Sequence, residues 1–260
     1  MQLFDTHAHL GLLHNQKMEQ LMAVQLAKLK SVKHIVSICN SLPDFENTYT
    51  NLESASDVFH AVGVSPTEVA NPGRDWEEKV IEFANLPRVI AIGETGLDYF
   101  HMFGGNKSIQ IELFLKHLDI ARHLDLPVII HNRDAGEDLL TILKEKLPPK
   151  GGILHCFGEN WDFARKALDL NVTFSFAGNV TFKNSRAIQE VAKKLPADRF
   201  VIESEAPFMT PYPYKGERNK PAYIIETAIT LSEIRETYLE ELCETLYANS
   251  LRAFSLPKDV

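Results

Sequence analysis

Four histidines and four acids of this 260-residue chain stand at one kind of place, at or just after the ends of short apolar runs. Leu3-Phe4 leads into Asp5-Thr6-His7-Ala8-His9, and Ile90-Ala91-Ile92-Gly93 leads into Glu94. Val128-Ile129-Ile130 ends in His131, Ile153-Leu154 in His155, and Phe200-Val201-Ile202 in Glu203, with Glu205 two residues on. In His7-Ala8-His9 a spacing of two on extended backbone turns both imidazoles to one side, so both can reach one cation. Taken singly these residues carry little. An HxH is commonly surface or core histidine, and a lone His131 or Glu94 is as readily satisfied by hydrogen bonds. Taken jointly they carry more, because four imidazoles and two or three acids gathered together would leave unpaired polar groups, a cost that cations remove.

Imidazole and carboxylate donors without thiolate fit zinc, manganese, iron, or magnesium with extra waters. The six donors His7, His9, Glu94, His131, His155 and Glu205 exceed what one tetrahedral catalytic ion with an open position uses. They suit two divalent ions with a carboxylate between them. Such a pair activates a water and stabilises the attacking and leaving oxygens of phosphoryl transfer.

Bringing these residues together is the task of the elements between them. Apolar, β-branched runs recur at 3–4, 34–38, 59–64, 89–92, 128–130, 152–154, 172–176 and 200–202. Most are continuously hydrophobic, the pattern of parallel strands buried on both faces. Segments of helical period lie between and after them, at 17–30, 76–85, 107–124, 137–146, 161–170, 185–194, 221–236 and 238–254, with a weaker one at 43–56. Eight strand–helix units predict a single-domain (β/α)₈ barrel, a TIM barrel, over residues 1–260. In such a barrel the C-terminal ends of all strands converge on one face, so residues distant in sequence share one pocket.

Composition sets bounds on partners. The formal net charge is -8, so the surface as a whole does not attract nucleic acid non-specifically. A nucleic-acid substrate needs local positive charge from bound metal or clustered Lys and Arg. Cys39, Cys156 and Cys243 are widely spaced and odd in number, which gives no disulfide framework and suits a reducing compartment. Cys156 beside His155 invites a nucleophile reading. Neighbouring residues of a strand face opposite ways, so with His155 in the pocket Cys156 is expected to be buried elsewhere and inert. No run approaches the roughly 18 consecutive apolar residues of a membrane span. The expectation is a soluble cytoplasmic chain with no obligate protein partner.

With these motifs assembled, the chain resembles the TatD family of metal-dependent deoxyribonucleases, within the amidohydrolase-like barrels. The resemblance spans essentially the whole length, through FDTHAHL, IGETGLDY, LPVIIHNRDA, GILHCF, VIESEAPFMTP and PYPYKGERNKPAY. It implies a divalent-ion-dependent nuclease, using Mg, Zn or Mn, that trims single-stranded DNA or 3′ ends. It further implies that His7, His9, Glu94 and Glu205 hold one ion and that Glu94, His131 and His155 hold the other, with Glu94 bridging. Glu94, Glu203 and Glu205 are the expected catalytic carboxylates, Glu205 being also the base that positions the attacking water.

Two positions depart from the family pattern. The family usually reads E-T-D-A-P where this chain has Glu203-Ser204-Glu205-Ala206-Pro207. Glutamate carries its carboxylate one C–C bond further, roughly 1.5 Å, and displacements of about 1 Å can cost around a hundredfold in rate. Ser65 stands where the family commonly has histidine, and a hydroxyl takes no proton at neutral pH. Together the changes imply altered substrate, altered metal preference or diminished activity.

For substrate binding the sequence offers Arg133, whose planar fork suits a phosphate but also a salt bridge to Asp134. Lys215 and Arg218, with Lys220, Tyr212 and Tyr214, form a loop that could stack bases and hold phosphates, or simply be solvated. Asp98, Tyr99 and Ser65 complete the expected contacts, with Asp98 and Tyr99 equally able to serve the loop's own fold. Two rival readings stand beside the nuclease. One is hydrolysis of an ester or amide in a small molecule or aminoacyl-RNA. The other is a non-catalytic binding descendant.

Overall fold

The computed structural model describes residues 1–102, 106–258 and 260. Its strands are β1 Leu3–Ala8, β2 Val32–Ile38, β3 Val58–Val62, β4 Val89–Asp98, β5 Val128–Arg133, β6 Gly152–Leu154, β7 Val172–Phe176 and β8 Phe200–Ile202. They pair in parallel, each with the next, in one 8-stranded sheet. Closure comes from β1 against β8 and the chain beyond it. The Thr6 hydroxyl donates to Ile202 O at 3.0 Å, Glu205 N to His7 O at 3.0 Å and His9 N to Ala206 O at 2.8 Å. This is the (β/α)₈ barrel that the strand–helix alternation predicts.

The apolar runs build two cores. One lies between sheet and helices, where both-face burial of the strands is satisfied, and it includes Phe114, Leu118, Phe174 and Phe200. The other gathers Phe4, Val36, Phe59, Ile129, Ile153 and Val201 from around the barrel and meets Leu251 of the last helix, Leu239–Ala253, and Phe254 just after it. That helix also fastens β8, since Asn249 donates from its amide to Phe200 O at 2.8 Å. Helix ends follow side-chain chemistry. Asn106 and Asn160 each accept a backbone N–H three residues on, at 3.0 and 3.1 Å, which satisfies donors that a helix start leaves open. Among the described residues no helix is long and apolar enough to cross a membrane.

Two differences from the sequence reading bear on function. A short helix, Leu10–Leu13, follows His9 immediately, and β4 runs on to Asp98 instead of stopping at Ile92. Glycine makes the longer strand feasible. Gly93 and Gly96 take φ of +141° and +138°, and a Cβ at Gly96 would lie 2.1 Å from His131 O. The backbones of β4 and β5 therefore approach more closely there than a side chain permits, which draws Glu94 and His131 together.

Behind the site, His117 is fully buried on the Lys107–Leu124 helix. Its Nε2 accepts Val64 N–H at 3.0 Å, and its Nδ1 lies 2.8 Å from Leu113 O, which fixes the segment entering Ser65. Burial pushes the His117 pKa down to about 4 from 6.5.

Both features are testable. Gly96→Ala is expected to lower stability by more than about 1 kcal/mol, read as a lower urea midpoint with unchanged slope. A wild-type midpoint would contradict the close approach. For His117, the unfolded chain takes up a proton between pH 6.5 and about 4 that the folded chain refuses. Its contribution is therefore complete above pH 6.5 and is lost as pH falls, by up to about 3 kcal/mol. His117→Gln keeps an acceptor without titrating, so the ion-free variant should lose less stability than wild type between pH 7 and 4.5. Equal losses would assign the effect to another group.

Candidate metal centre

At the C-terminal mouth of the barrel the structure brings His7, His9, Glu94, His131, His155 and Glu205 together. They fall into three overlapping groups of donors: His7 with His9 and Glu94, Glu94 with His131 and His155, and His7 with His155, Glu203 and Glu205. Glu94 divides its carboxylate between the first two. Its Oε2 lies 3.7 Å from both His7 Nε2 and His9 Nε2, while its Oε1 lies 3.0 Å from His131 Nδ1 and 3.5 Å from His155 Nε2. Within each pair the ring nitrogens face each other, His7 and His9 at 3.2 Å and His131 and His155 at 3.1 Å. Glu205 Oε2 adds a donor 3.3 Å from His7 Nε2. Such separations match donors that each sit about 2.0–2.2 Å from a shared ion. A further sign of fit is that Glu205 Oε2 is buried and has no hydrogen-bond partner, a rare condition that a cation relieves.

The electrostatics point the same way. Burial pushes Glu94 up, but His155 and His131 overcome it and hold its carboxyl well below the usual range. Glu205 is held low in the same manner, against burial, by His7, His155 and His9. His155 is the reciprocal case: burial opposes its charge, yet Glu94, Glu203 and Glu205 raise it well above the normal imidazole value. The carboxylates thus demand positive charge at this spot, and without an ion only protons on the imidazoles supply it. Asp5, behind His7, is pushed up to about 8 by burial.

The remaining expected residues divide. Ser65, Asp98 and Arg133 line a cavity of about 380 Å³ over the cluster, with His9, Glu94, His131, His155 and Glu205. Ser65 Oγ lies 3.5 Å from Glu94 Oε1. Lys215, Arg218 and Tyr99 do not line it. Lys215 is occupied by aromatic faces, 4.1 Å from the centroid of Phe182 and 5.4 Å from that of Tyr212. Arg218 donates to Leu12 O at 2.5 Å, and the Tyr99 hydroxyl donates to Asp138 at 2.7 Å. Glu203, expected among the catalytic carboxylates, is fully buried behind His155, with Oε1 3.6 Å from His155 Nδ1 and accepting Cys156 N–H at 2.8 Å. It does not face the cavity.

Cys156 corrects the expectation drawn from strand alternation. β6 ends at Leu154, and Cys156 lies beyond it with φ of 43°, so the two-residue period no longer applies and Cys156 lines the cavity beside His155. Burial, then Glu205 and Glu203, push its thiol well above the usual value, so it stays protonated and a poor nucleophile. The sequence reading also passed over Asn40, Asn132, His101 and Phe208, which line the same cavity. Asn40 and Asn132 stand at strand ends like the histidines, and that rule would have found them. Phe208 had no such signal.

Comparison with known proteins bears on the family. The chain matches the family described as TatD related DNase over residues 4–255. It is 37% identical over 256 residues to the uncharacterized metal-dependent hydrolase YabD of Bacillus subtilis (strain 168), covering 98% of this chain and 99% of the relative. The uncharacterized metal-dependent hydrolase YcfH of Escherichia coli (strain K12) is 35% identical over 259 residues, with 98% and 97% covered. Among solved structures, the TatD homolog YjjV of Escherichia coli k12 superposes with a TM-score of 0.90 at 24% identity over 98% of each chain. A TatD family hydrolase from Entamoeba histolytica gives 0.85 at 22% identity, with 97% and 98% covered. At those identities the structures speak for the barrel alone; the sequence relatives and the family match carry more, and the chain belongs to the TatD family of metal-dependent hydrolases.

Proposed function

We propose that this protein hydrolyses phosphodiester bonds of DNA, trimming single strands or 3′ ends, with two divalent ions held by His7, His9, Glu94, Glu205, His131 and His155. The observation that carries the reading is the division of Glu94, one oxygen toward each histidine pair. The family's description as a DNase supplies the substrate class. Bound ions supply Lewis acidity at the phosphate and lower the pKa of the attacking water.

The chain's own residues do the rest. Glu205 stands as an anion beside the cavity; with Oε2 turned to the ion-binding donors, its Oε1 would accept the proton that the attacking water gives up. Arg133 takes a phosphate oxygen on its planar fork; its guanidinium stacks 4.9 Å from the Phe100 ring centroid, which orients it at the rim. Ser65 can donate its hydroxyl to Glu94 or to substrate but cannot act as an acid in its own right. Phe208 is half exposed beside His9 and offers a face on which a terminal base can stack. The cavity, about 380 Å³, falls within the roughly 300–1,000 Å³ of small-molecule sites. It suits the end of a strand.

The test uses single-stranded DNA labelled at its 5′ end, with Mg²⁺, Mn²⁺ or Zn²⁺, beside a panel of esters and an aminoacyl-RNA. Progressive shortening from the 3′ end is expected, and Glu94→Gln should lower kcat by about 100-fold or more. DNA left intact while an ester is cleaved would assign the site to carbonyl chemistry, and tight ion binding without any turnover would make it a binding module. Calorimetry should count two ions per chain, and a count of one would overturn the bridging role of Glu94. Restoring the family's residues with Glu205→Asp and Ser65→His is expected to raise the nuclease rate, by up to about 100-fold. An unchanged or lower rate would show a site tuned to glutamate.

A further inference from the structure

Asp98 ends β4 almost wholly buried, and its carboxylate is fully engaged. Oδ1 accepts the backbone N–H groups of Phe100 at 3.0 Å and His101 at 2.6 Å. Oδ2 faces two ring nitrogens, His131 Nε2 at 3.0 Å and His101 Nδ1 at 3.1 Å. An ionised carboxylate offers about four acceptor positions and no donor, so none is left for a substrate. The same chemistry fixes the proton of His131. A carboxylate oxygen can only accept, so the hydrogen between Asp98 and His131 belongs to Nε2. A neutral imidazole protonated at one nitrogen has its lone pair on the other. Once a cation replaces the second proton, His131 Nδ1 would therefore direct that lone pair into the space it shares with Glu94 Oε1, 3.0 Å away, and His155 Nε2, 3.1 Å away.

We propose that Asp98 is a positioning residue that holds His131 as its Nε2–H tautomer and so makes Nδ1 the atom offered to a divalent cation. This gives His131 a different ligating atom from the other three histidines. His7 and His9 face the cluster through Nε2, and His155 presents Nε2 to His131 while its Nδ1 faces Glu203 and Glu205 at 3.6 Å. Asp98 also joins His131 to the backbone beyond β4, so the carboxylate couples a ligand in the floor of the cavity to His101 on its wall. The inference rests on the ion-binding reading of the cluster and is independent of what the substrate is.

Two variants of the full chain separate positioning from a merely structural role, which would consist of holding the Phe100–His101 turn. Asp98→Asn keeps that role, because its amide oxygen can still accept both backbone N–H groups, and those two donors keep the oxygen on their side. The amide NH₂ then points at His131 Nε2, which must become an acceptor and move its proton to Nδ1. Asp98→Ala removes the partner without imposing the opposite tautomer. In the zinc-loaded wild type, ¹⁵N NMR of labelled histidines should show His131, alone of the four ligand histidines, protonated at Nε2, with His7, His9 and His155 protonated at Nδ1. Calorimetry with Zn²⁺ and Mn²⁺ should show the weaker-held ion losing about 10–100-fold in affinity in both variants, with Asn at least as damaging as Ala. Wild-type affinity in Asp98→Asn, or a wild-type His131 protonated at Nδ1, would overturn the proposal. A wild-type chain that binds no zinc would overturn the ion-binding reading and this one with it, whereas an ion-loaded chain that leaves DNA intact would overturn only the substrate.

Discussion

The structure turns on one buried anion. Glu94 is almost fully removed from water and faces imidazoles on both of its oxygens. A buried carboxylate is tolerable only with positive charge beside it, and it is strongly destabilising when that charge is removed. Without an ion, imidazoles supply it only by holding protons, and His155 and His131 are both raised above the usual imidazole value. A cation performs the same service from a position where several donors converge, and its arrival releases those protons, so its affinity must depend on pH. The barrel serves this requirement. β4 carries Glu94 against β5 through glycines that allow close approach, and the β1–β8 closure brings His7 beside Glu205.

Depth then assigns different work to acids that look alike in sequence. Glu94, Glu205 and Asp98 line the cavity, but Asp98 spends its carboxylate on His131 and His101, and Glu203 lies behind His155. A carboxylate behind an imidazole holds its ring and proton; a carboxylate level with it competes for the same cation. The distinction is one of a few ångströms along a strand. It decides whether removing the residue removes a ligand or only loosens one.

Much of this was legible in the chain. Continuous apolar runs give buried parallel strands because both faces are covered, and strand ends give the cluster because parallel strands share one direction. What the pattern could not show depends on local backbone geometry. The extension of β4 needs glycines at positive φ, and glycine in a sequence reads equally as a strand's end. Cys156 escapes the alternation rule because β6 is only three residues long and the chain turns straight after it. Lys215 and Arg218 follow the right strand, but their cations are taken by Phe182 and by Leu12 O, contacts between segments far apart in sequence. Charge and loop position predict a binding role only when nothing else claims the charge.

Glu205 shows how a longer side chain is accommodated. Its backbone sits at φ of 57°, in the left-handed region, and its N–H is bound to His7 O. The residues around it are also fixed. Ser204 N–H donates to Asp5 Oδ1 at 2.8 Å, and the Asn219 amide donates to both Ser204 O and Phe208 O. A backbone held from both sides cannot retreat to compensate for an extra methylene, so the side chain must absorb the length. It does so by spanning the cluster, with Oε1 3.9 Å from His9 Nε2 and Oε2 between His7 Nε2 at 3.3 Å and His155 Nδ1 at 3.6 Å. Oε2 therefore meets His155 at Nδ1, the nitrogen turned away from His131 and Glu94, so Glu205 serves the His7–His9 side of the centre and reaches the other side only through the back of an imidazole.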